Sequence, residues 1–343
     1  MNIQNMLPKI PNFITEEWLR NALKNQIFSI WGFSFSDLSN CTFDKNIDES
    51  VLNRVVISSK TKLPKEHPFN INLTDYIDDD IKTLNDMGIT GEGINIAIID
   101  QDFDETHDEI NGAIKEHICL NDREKNNFHG LCVSSNLVGK NFGVAPKSNV
   151  IFYGFQPYNK ETIRDASISA LENIYKRNLN GEGIRLVSIS GYLHTESPKF
   201  EDIKQKLASQ NCYIIDSPTF GQFFTSINLR QNNGTKNYNY SNWQLEYLGG
   251  FKKKIAIPYT GVTPLVNSTS DYTIGGDVTY SWVIPRLTGI IALCMQLKPD
   301  MTLDEFGKIA LDTKYTTEDG KNIINPSGIV KTLSLECSEK PSL

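Results

Sequence analysis

From residue 81 onward, short unbroken apolar segments alternate with segments of helical periodicity, and this alternation constrains the fold more than any other feature of the sequence. Strands are predicted at 94–100, 149–155, 184–190, 212–216 and 254–258. Helices are predicted at 129–139, 161–178 and 200–210, and another follows Ser281. Apolar strands separated by helices are typical of a parallel sheet that is covered on both faces. The sequence therefore predicts an α/β fold with functional groups at the carboxyl ends of the strands.

The first 80 residues lack this alternation, and we expect them to form an N-terminal extension to a main domain at 81–343. Within 13–35, apolar residues recur at the spacing of one helix face, which predicts an amphipathic helix with Thr15 as its N-cap. A strand is predicted at 51–58, and an acidic patch at 78–80 ends the extension.

Composition argues against several classes of function. A net charge of -7 disfavours non-specific binding to nucleic acid or to an anionic membrane, because both need clustered Lys and Arg. We find no secretory leader and no apolar run of transmembrane length, so a cytoplasmic location is expected. The six cysteines are scattered without a CxxC pair, which favours reduced thiols over a disulfide framework or a zinc site. Nothing in the sequence indicates the oligomeric state.

Three residues stand where chemistry is possible. Asp100 ends the first predicted strand of the main domain, His129 precedes Gly130 at the start of a helix, and Ser281 opens a long apolar helix. Each has an ordinary structural explanation when taken alone, since Asp, His and Ser commonly cap turns and helices. Together they supply a nucleophile, the base that removes its proton and the carboxylate that orients the base. The order Asp, His, Ser along the chain is one of the known solutions to that geometry.

The segments around these residues resemble the motifs of subtilisin-like serine proteases (subtilases). The matching segments are GEGINIAIIDQDFDETHDEI at 91–110, HGLCVSS at 129–135, GVAP at 143–146 and TYSWVIP at 279–285. The resemblance implies a subtilisin-like three-layer fold, with a mostly parallel sheet and helices on both faces. It also implies a catalytic triad of Asp100, His129 and Ser281 that acts on a peptide or protein substrate.

The same resemblance suggests further site residues. The expected substrate edge comprises Ser188, Ser190, Gly191 and Tyr192. No cofactor is required by this chemistry, and calcium is possible, although residue types alone assign no ligands for it. Because many subtilases carry a propeptide, the extension at 1–80 is either a propeptide-like domain or a simple packing appendage.

Several positions depart from the family pattern. Asp102 adds a carboxylate close to Asp100, which is expected to raise the pKa of His129 or to disturb the local turn. Trp282 replaces the usual Met beside the nucleophile. The Asn that completes the oxyanion hole is missing from 217–221, where Thr219 and Ser217 are the candidate donors. Two functions therefore stay open. The first is a slow or narrowly specific endopeptidase, and the second is a catalytically impaired pseudoprotease that acts as a peptide-binding or regulatory module.

Overall fold

The computed structural model describes residues 6–122, 127–191, 197–218, 223–228, 254–276, 280–317 and 320–338. The helices are α1 (Glu16–Ala22), α2 (Gln26–Trp31), α3 (Glu49–Leu52), α4 (Asp79–Asp86), α5 (His129–Val138), α6 (Lys160–Leu179), α7 (Pro198–Ser209), α8 (Tyr280–Leu297), α9 (Leu303–Thr313) and α10 (Pro326–Ser338), with a 3-10 helix at Leu73–Tyr76. The strands are β1 (Phe13–Ile14), β2 (Thr42–Phe43), β3 (Ile57–Ser58), β4 (Asn95–Gln101), β5 (Ile114–Cys119), β6 (Asn149–Phe155), β7 (Ile184–Ser188), β8 (Tyr213–Ile215), β9 (Phe224–Asn228), β10 (Ile255–Tyr259), β11 (Val262–Pro264), β12 (Tyr272–Ile274), β13 (Tyr315–Thr316) and β14 (Asn322–Ile323).

The central sheet is five-stranded and parallel, with strand order β5-β6-β4-β7-β8. Successive side chains of its middle strand point to opposite faces. Ile96 and Ile98 of β4 belong to one apolar core together with buried residues of α5 and α8. Ala97 and Ile99 belong to a second core together with α6 and α7. The sheet is thus buried on both faces, which confirms the predicted three-layer α/β arrangement.

The predicted strand at 254–258 forms β10, but in a separate sheet of order β13-β14-β10-β9. There β10 pairs in parallel with β9 over Phe224–Asn228 and with β14 on its other side. The apolar pattern did not predict β9, because polar Thr225 and Ser226 interrupt its sequence FTSIN. The extended conformation of β9 is instead explained by its backbone pairing with β10 along its whole length.

The helix predicted within 13–35 is two short helices, α1 and α2, and this part of the prediction was wrong. Thr15 does cap α1, since its Oγ1 accepts a hydrogen bond from the backbone N–H of Trp18 at 3.2 Å. Asn25 ends that helical path, because its Oδ1 accepts from the N–H groups of Ile27 and Phe28 at 2.9 and 3.1 Å and so begins a new helix.

Of the strand predicted at 51–58, only the last two residues form a strand, which is β3. Asp48 caps α3 by accepting from the N–H of Ser50 at 2.8 Å, so the first residues of this segment are helical. Strand β3 itself pairs antiparallel with β12 of the main domain. The extension also shares an apolar cluster with the main domain, in which Phe28 and Phe33 join Phe142 and Tyr272.

Helix α8, which carries Ser281, is the core helix of the domain. Among the described residues it alone is long and apolar enough to cross a membrane by length and composition, which the sequence pattern had not suggested. Because 72% of it is buried within the fold, its apolar character is explained by packing against α5, α10 and β10. The first three residues of α8, which include Ser281, are only partly buried, whereas the helix is buried from Val283 to Met295.

Candidate active site

Asp100 and His129 are joined directly. Asp100 lies at the carboxyl end of β4 and is 4% exposed, and its Oδ1 lies 2.6 Å from Nδ1 of His129. The same oxygen accepts from the backbone N–H of Gln101 at 2.7 Å, which fixes the carboxylate at the rim of the sheet. A carboxylate at this distance holds the proton on Nδ1 and leaves Nε2 free to act as a base.

Gly130 explains how the two elements approach so closely. A Cβ added at this position would come within 2.0 Å of the carbonyl oxygen of Gln101, the last residue of β4. Only glycine lets the first turn of α5 pack against the end of the strand at this spacing. His129 is the first residue of α5 and is held beside Asp100 by this packing.

The electrostatics of His129 follow from its burial and its partner. Burial acts to lower the pKa of His129, but the Asp100 charge and the hydrogen bond to it outweigh burial and raise that pKa above its ordinary value. The imidazolium formed during proton transfer is thus stabilised by Asp100. This is the electrostatic arrangement expected of a general base.

Ser281, the second residue of α8, lines the same cavity as His129, but its hydroxyl is hydrogen-bonded elsewhere. Its hydroxyl donates to the backbone carbonyl of Ser190 at 3.2 Å. Within the described chain, no hydrogen bond joins Ser281 to His129. Both residues nonetheless line one cavity of about 330 Å³.

Trp282 occupies the position beside the nucleophile and packs on the base. Its ring centroid lies 5.3 Å from that of His129, with the planes tilted by 38°. Phe128 contacts both rings, at 6.2 Å from His129 and 6.4 Å from Trp282. The imidazole is therefore held between a carboxylate on one side and aromatic rings on the other.

Asp102, the additional carboxylate, is paired with a different histidine, and the charge that raises the pKa of His129 is that of Asp100. Its Oδ1 lies 2.6 Å from Nε2 of His117 and accepts from the N–H of Phe103 at 3.0 Å. The other ring nitrogen of His117 contacts Glu105. Asp102 therefore pairs with His117 and not with His129, because residues 100 and 102 have different neighbours where β4 ends.

The proposed substrate edge continues from β7. Ser188 and Ser190 are buried, and their hydroxyl oxygens have no partner among the described residues. The backbone of Ile189 extends the pairing with β8, while Ser190 offers its carbonyl to Ser281. Gly191 is partly exposed at the end of this segment, and Tyr192 lies outside the described residues.

The oxyanion candidates follow β8. Ser217 is half-buried just after Asp216, and Thr219 lies outside the described residues. Among the described residues, no hydrogen bond joins Ser217 to Ser281 or His129. Within the same residues, no group of three or more His, Cys, Asp or Glu side chains is arranged to hold a metal ion.

Other residues of the aspartate motif have a supporting role. His107 contacts the backbone carbonyl of Asp271 through Nε2, at 2.8 Å, and accepts from the N–H of Glu109 through Nδ1. Glu109 is 1% exposed, and its carboxylate accepts from the backbone of the loop that follows α5. These contacts fix the far end of the helix that begins with His129.

The comparisons with known proteins place this geometry in a fold. Solved structures similar to this chain include the PatG macrocyclase in complex with peptide, at 18% identity over 77% of this chain and 98% of that one, with a TM-score of 0.53. They also include the prenylagaramide maturation protease PagA, at 17% identity over 75% and 99% with a TM-score of 0.52, and subtilase cytotoxin SubAB, at 13% over 76% and 97% with a TM-score of 0.56.

These likenesses confirm the subtilisin-like fold. No family model matches the sequence. No curated protein matches it either. At such low identity, the assignment of fold depends on the arrangement of the described elements, and the roles of individual residues have to be argued from their geometry.

Proposed function

We propose that this chain is a serine endopeptidase that hydrolyses peptide bonds through an acyl-enzyme intermediate. The observation that carries the proposal is the 2.6 Å contact between Asp100 and His129 at a cavity that Ser281 also lines. A subtilisin-like fold alone does not specify chemistry. A buried carboxylate paired with an imidazole next to a helix-terminal serine is what nucleophilic catalysis by serine requires.

In the proposed reaction, Ser281 Oγ attacks the carbonyl carbon of the peptide while its proton passes to Nε2 of His129. The C–N bond then breaks, and the amine leaves with that proton. In the second half of the cycle, water gives a proton to His129 and attacks the ester, the bond between the acyl carbon and Ser281 Oγ breaks, and His129 returns that proton to Oγ as the acid product leaves. Asp100 accepts the hydrogen bond from Nδ1–H throughout and stabilises the imidazolium without itself becoming protonated. Side chains and water suffice, so no cofactor takes part.

We further propose that the substrate is a peptide or protein segment lying along Ser188–Gly191. The end of this segment supports the proposal, because Ser190 and Gly191 extend beyond the residues of β7 that pair with β4 and β8 and present a backbone edge next to Ser281, whose hydroxyl donates to the carbonyl of Ser190. An extended peptide can add to such an edge through backbone hydrogen bonds. One structural neighbour, the PatG macrocyclase, is described in complex with a peptide.

Activity-based labelling tests the nucleophile. The purified full chain is treated with a fluorophosphonate probe beside the variants Ser281→Ala and Ser209→Ala, the second of which removes an exposed serine at the end of α7. We expect labelling of the parent chain and of Ser209→Ala, and no labelling of Ser281→Ala. Peptide mapping then has to place the adduct on Ser281. Absence of labelling in a well-folded parent chain would contradict the proposal.

A second candidate, a pseudoprotease that binds peptides without cleaving them, is favoured by two observations. The Ser281 hydroxyl is bonded to Ser190 and not to His129, and the sequence has no Asn at 217–221 to complete an oxyanion hole. Removal of one such donor costs roughly 100- to 1,000-fold in turnover, as the measured case of subtilisin illustrates. Peptide binding without labelling of Ser281 is the result expected of this candidate.

A further inference from the structure

The cavity at Ser281 has a wall that the main domain does not supply. Its volume of about 330 Å³ lies at the lower end of the range for small-molecule and side-chain pockets. The residues contributed by the extension are Ser29, Ile30 and Trp31 of α2 together with Val56. A motif search around the triad cannot find these residues, because they lie more than 70 positions before His129 in the chain.

Aromatic packing connects this wall to the base. The centroid of the Trp31 ring lies 5.2 Å from that of Phe128, with the planes inclined by 64°, and Phe128 immediately precedes His129. Phe128 in turn contacts Trp282, which packs on the imidazole. The wall is therefore continuous with the surroundings of His129. It is also anchored, because β3 pairs with β12 just beyond Val56.

Ser281 has different surroundings on its two sides. Its hydroxyl contacts Ser190 of the proposed substrate edge, and Ser188–Gly191 takes no part in lining the cavity. A peptide that crosses Ser281 while paired with that edge therefore carries its next residue, beyond the scissile bond, toward the cavity. The lining there is mainly apolar, with Ile30, Trp31 and Trp282 among its members.

We infer that α2 of the N-terminal extension forms a specificity-determining subsite, which accepts a bulky apolar or aromatic side chain of the substrate next to the scissile bond. The inference rests on the proposed function, because a scissile bond exists only if the chain cleaves peptides. It gives the extension a lasting role in substrate selection, different from that of a propeptide that is removed or an appendage that only packs. Ser29 is a small, partly buried residue of the cavity lining, so a larger side chain at this position is the simplest way to fill the subsite.

The variant Ser29→Phe places a ring in the cavity, and Gln26→Phe places the same ring on the same helix outside the cavity lining. Peptides that differ only in having Phe or Gly next to the scissile bond are compared by kcat/KM. We expect the parent chain and Gln26→Phe to prefer the Phe peptide. Ser29→Phe should lose roughly 10-fold or more of that preference while it keeps cleavage of the Gly peptide. An unchanged preference in Ser29→Phe overturns the inference.

A binding measurement separates this inference from the proposed function. Saturation-transfer NMR with N-acetylphenylalanine amide, using N-acetylglycine amide as the reference, needs no catalysis. We expect transfer to the phenyl protons in the parent chain and in Gln26→Phe, and several-fold less in Ser29→Phe and Trp31→Ala. Circular dichroism confirms that each variant is folded. Equal transfer in Ser29→Phe, or none in the parent chain, overturns the subsite even if peptides are cleaved, whereas the expected pattern without cleavage overturns the endopeptidase alone.

Discussion

Gly130 lies against the carbonyl oxygen of Gln101, so that the first turn of the His129 helix rests directly on the end of the strand that carries Asp100. A side chain at this position would come within 2.0 Å of a backbone atom, which has no flexible end to move aside. The contact between the base and its carboxylate thus depends on the absence of a side chain next to the base.

Replacement of this glycine is therefore expected to destabilise the fold. Gly130→Ala should lower the free energy of unfolding by about 1–3 kcal/mol, the usual cost of forcing extra atoms into a packed site. Gly307→Ala is the matched control, because nothing lies within 4 Å of its added Cβ in α9. That control should raise stability by up to about 1 kcal/mol, since alanine favours a helix. Urea unfolding measures both, and equal effects would contradict the packing argument.

The sequence predicted the fold well where local pattern and burial agree. Residues 94–100 and 149–155 became buried central strands within one residue of the predicted bounds, because an unbroken apolar run has few alternatives in a parallel sheet. The two helices within 13–35 were missed because one side chain, Asn25, caps a new helix inside an otherwise periodic pattern. Side-chain capping of this kind outweighs periodicity over short stretches.

The candidate site likewise has features that the sequence predicted and features that it did not. The pairing of Asp100 with His129 was predictable from motif order, since the chemistry demands it. The destination of Asp102 was not, because it depends on His117 of β5, a strand that no apolar pattern marked. The cavity wall from α2 was not predictable either, since it arises from packing between distant segments.

The pH dependence of labelling should report the Asp100–His129 contact. Only neutral imidazole accepts the Ser281 proton, and the pKa of His129 is raised above 6.5 by the Asp100 charge and hydrogen bond acting against burial. Labelling by a fluorophosphonate should therefore fall as pH decreases through this raised pKa. In Asp100→Asn the carboxylate charge that raises the pKa of His129 is lost, whereas the burial that lowers this pKa remains. The acidic limb of the curve of labelling rate against pH should therefore move to lower pH.

The plateau rate of Asp100→Asn should also fall, by roughly 10⁴-fold if the measured effect in a comparable triad carries over. Labelling rates from pH 5 to pH 9 supply both quantities in one experiment. Asp86→Asn, an exposed carboxylate in α4, is the control and should leave the profile unchanged. An acidic limb that stays in place in Asp100→Asn would show that the 2.6 Å contact does not set the protonation of His129.

A buried ion pair joins the end of the extension to the helix that carries Ser281. The guanidinium of Arg286 is almost fully buried and contacts the carboxylate of Asp78, while it donates to the carbonyl oxygens of Pro258 and Phe142. Asp78→Asn should lower the free energy of unfolding by about 3 kcal/mol, because it leaves the Arg286 charge buried without its partner.

Asparagine retains the capping oxygen that Asp78 offers to α4, so the loss is confined to the contact with Arg286, where an amide NH2 replaces the charged acceptor oxygen. The exposed pair of Lys82 and Asp86 in the same helix provides the comparison, since Asp86→Asn should leave stability unchanged within error. Thermal and urea unfolding of the two variants test this. A small effect of Asp78→Asn would mean that Arg286 finds another acceptor or water when its partner is neutralised.

Glu109 ties the loop after α5 to the β11–β12 hairpin, and a neutral side chain should weaken that connection. Its carboxylate accepts from the backbone of Asn141 and Phe142 at 2.9 and 2.8 Å, and from the hydroxyl of Tyr272 at 2.8 Å. Glu109→Gln replaces the oxygen that accepts from both Tyr272 and the side-chain amide of Asn141; the hydroxyl can turn to accept, but the Asn141 amide is left facing another donor, at a cost of about 1–3 kcal/mol. Tyr272→Phe removes the facing hydroxyl alone. In urea unfolding, the double variant should lose less stability than the sum of the two single variants, and strict additivity would show that the two groups act independently.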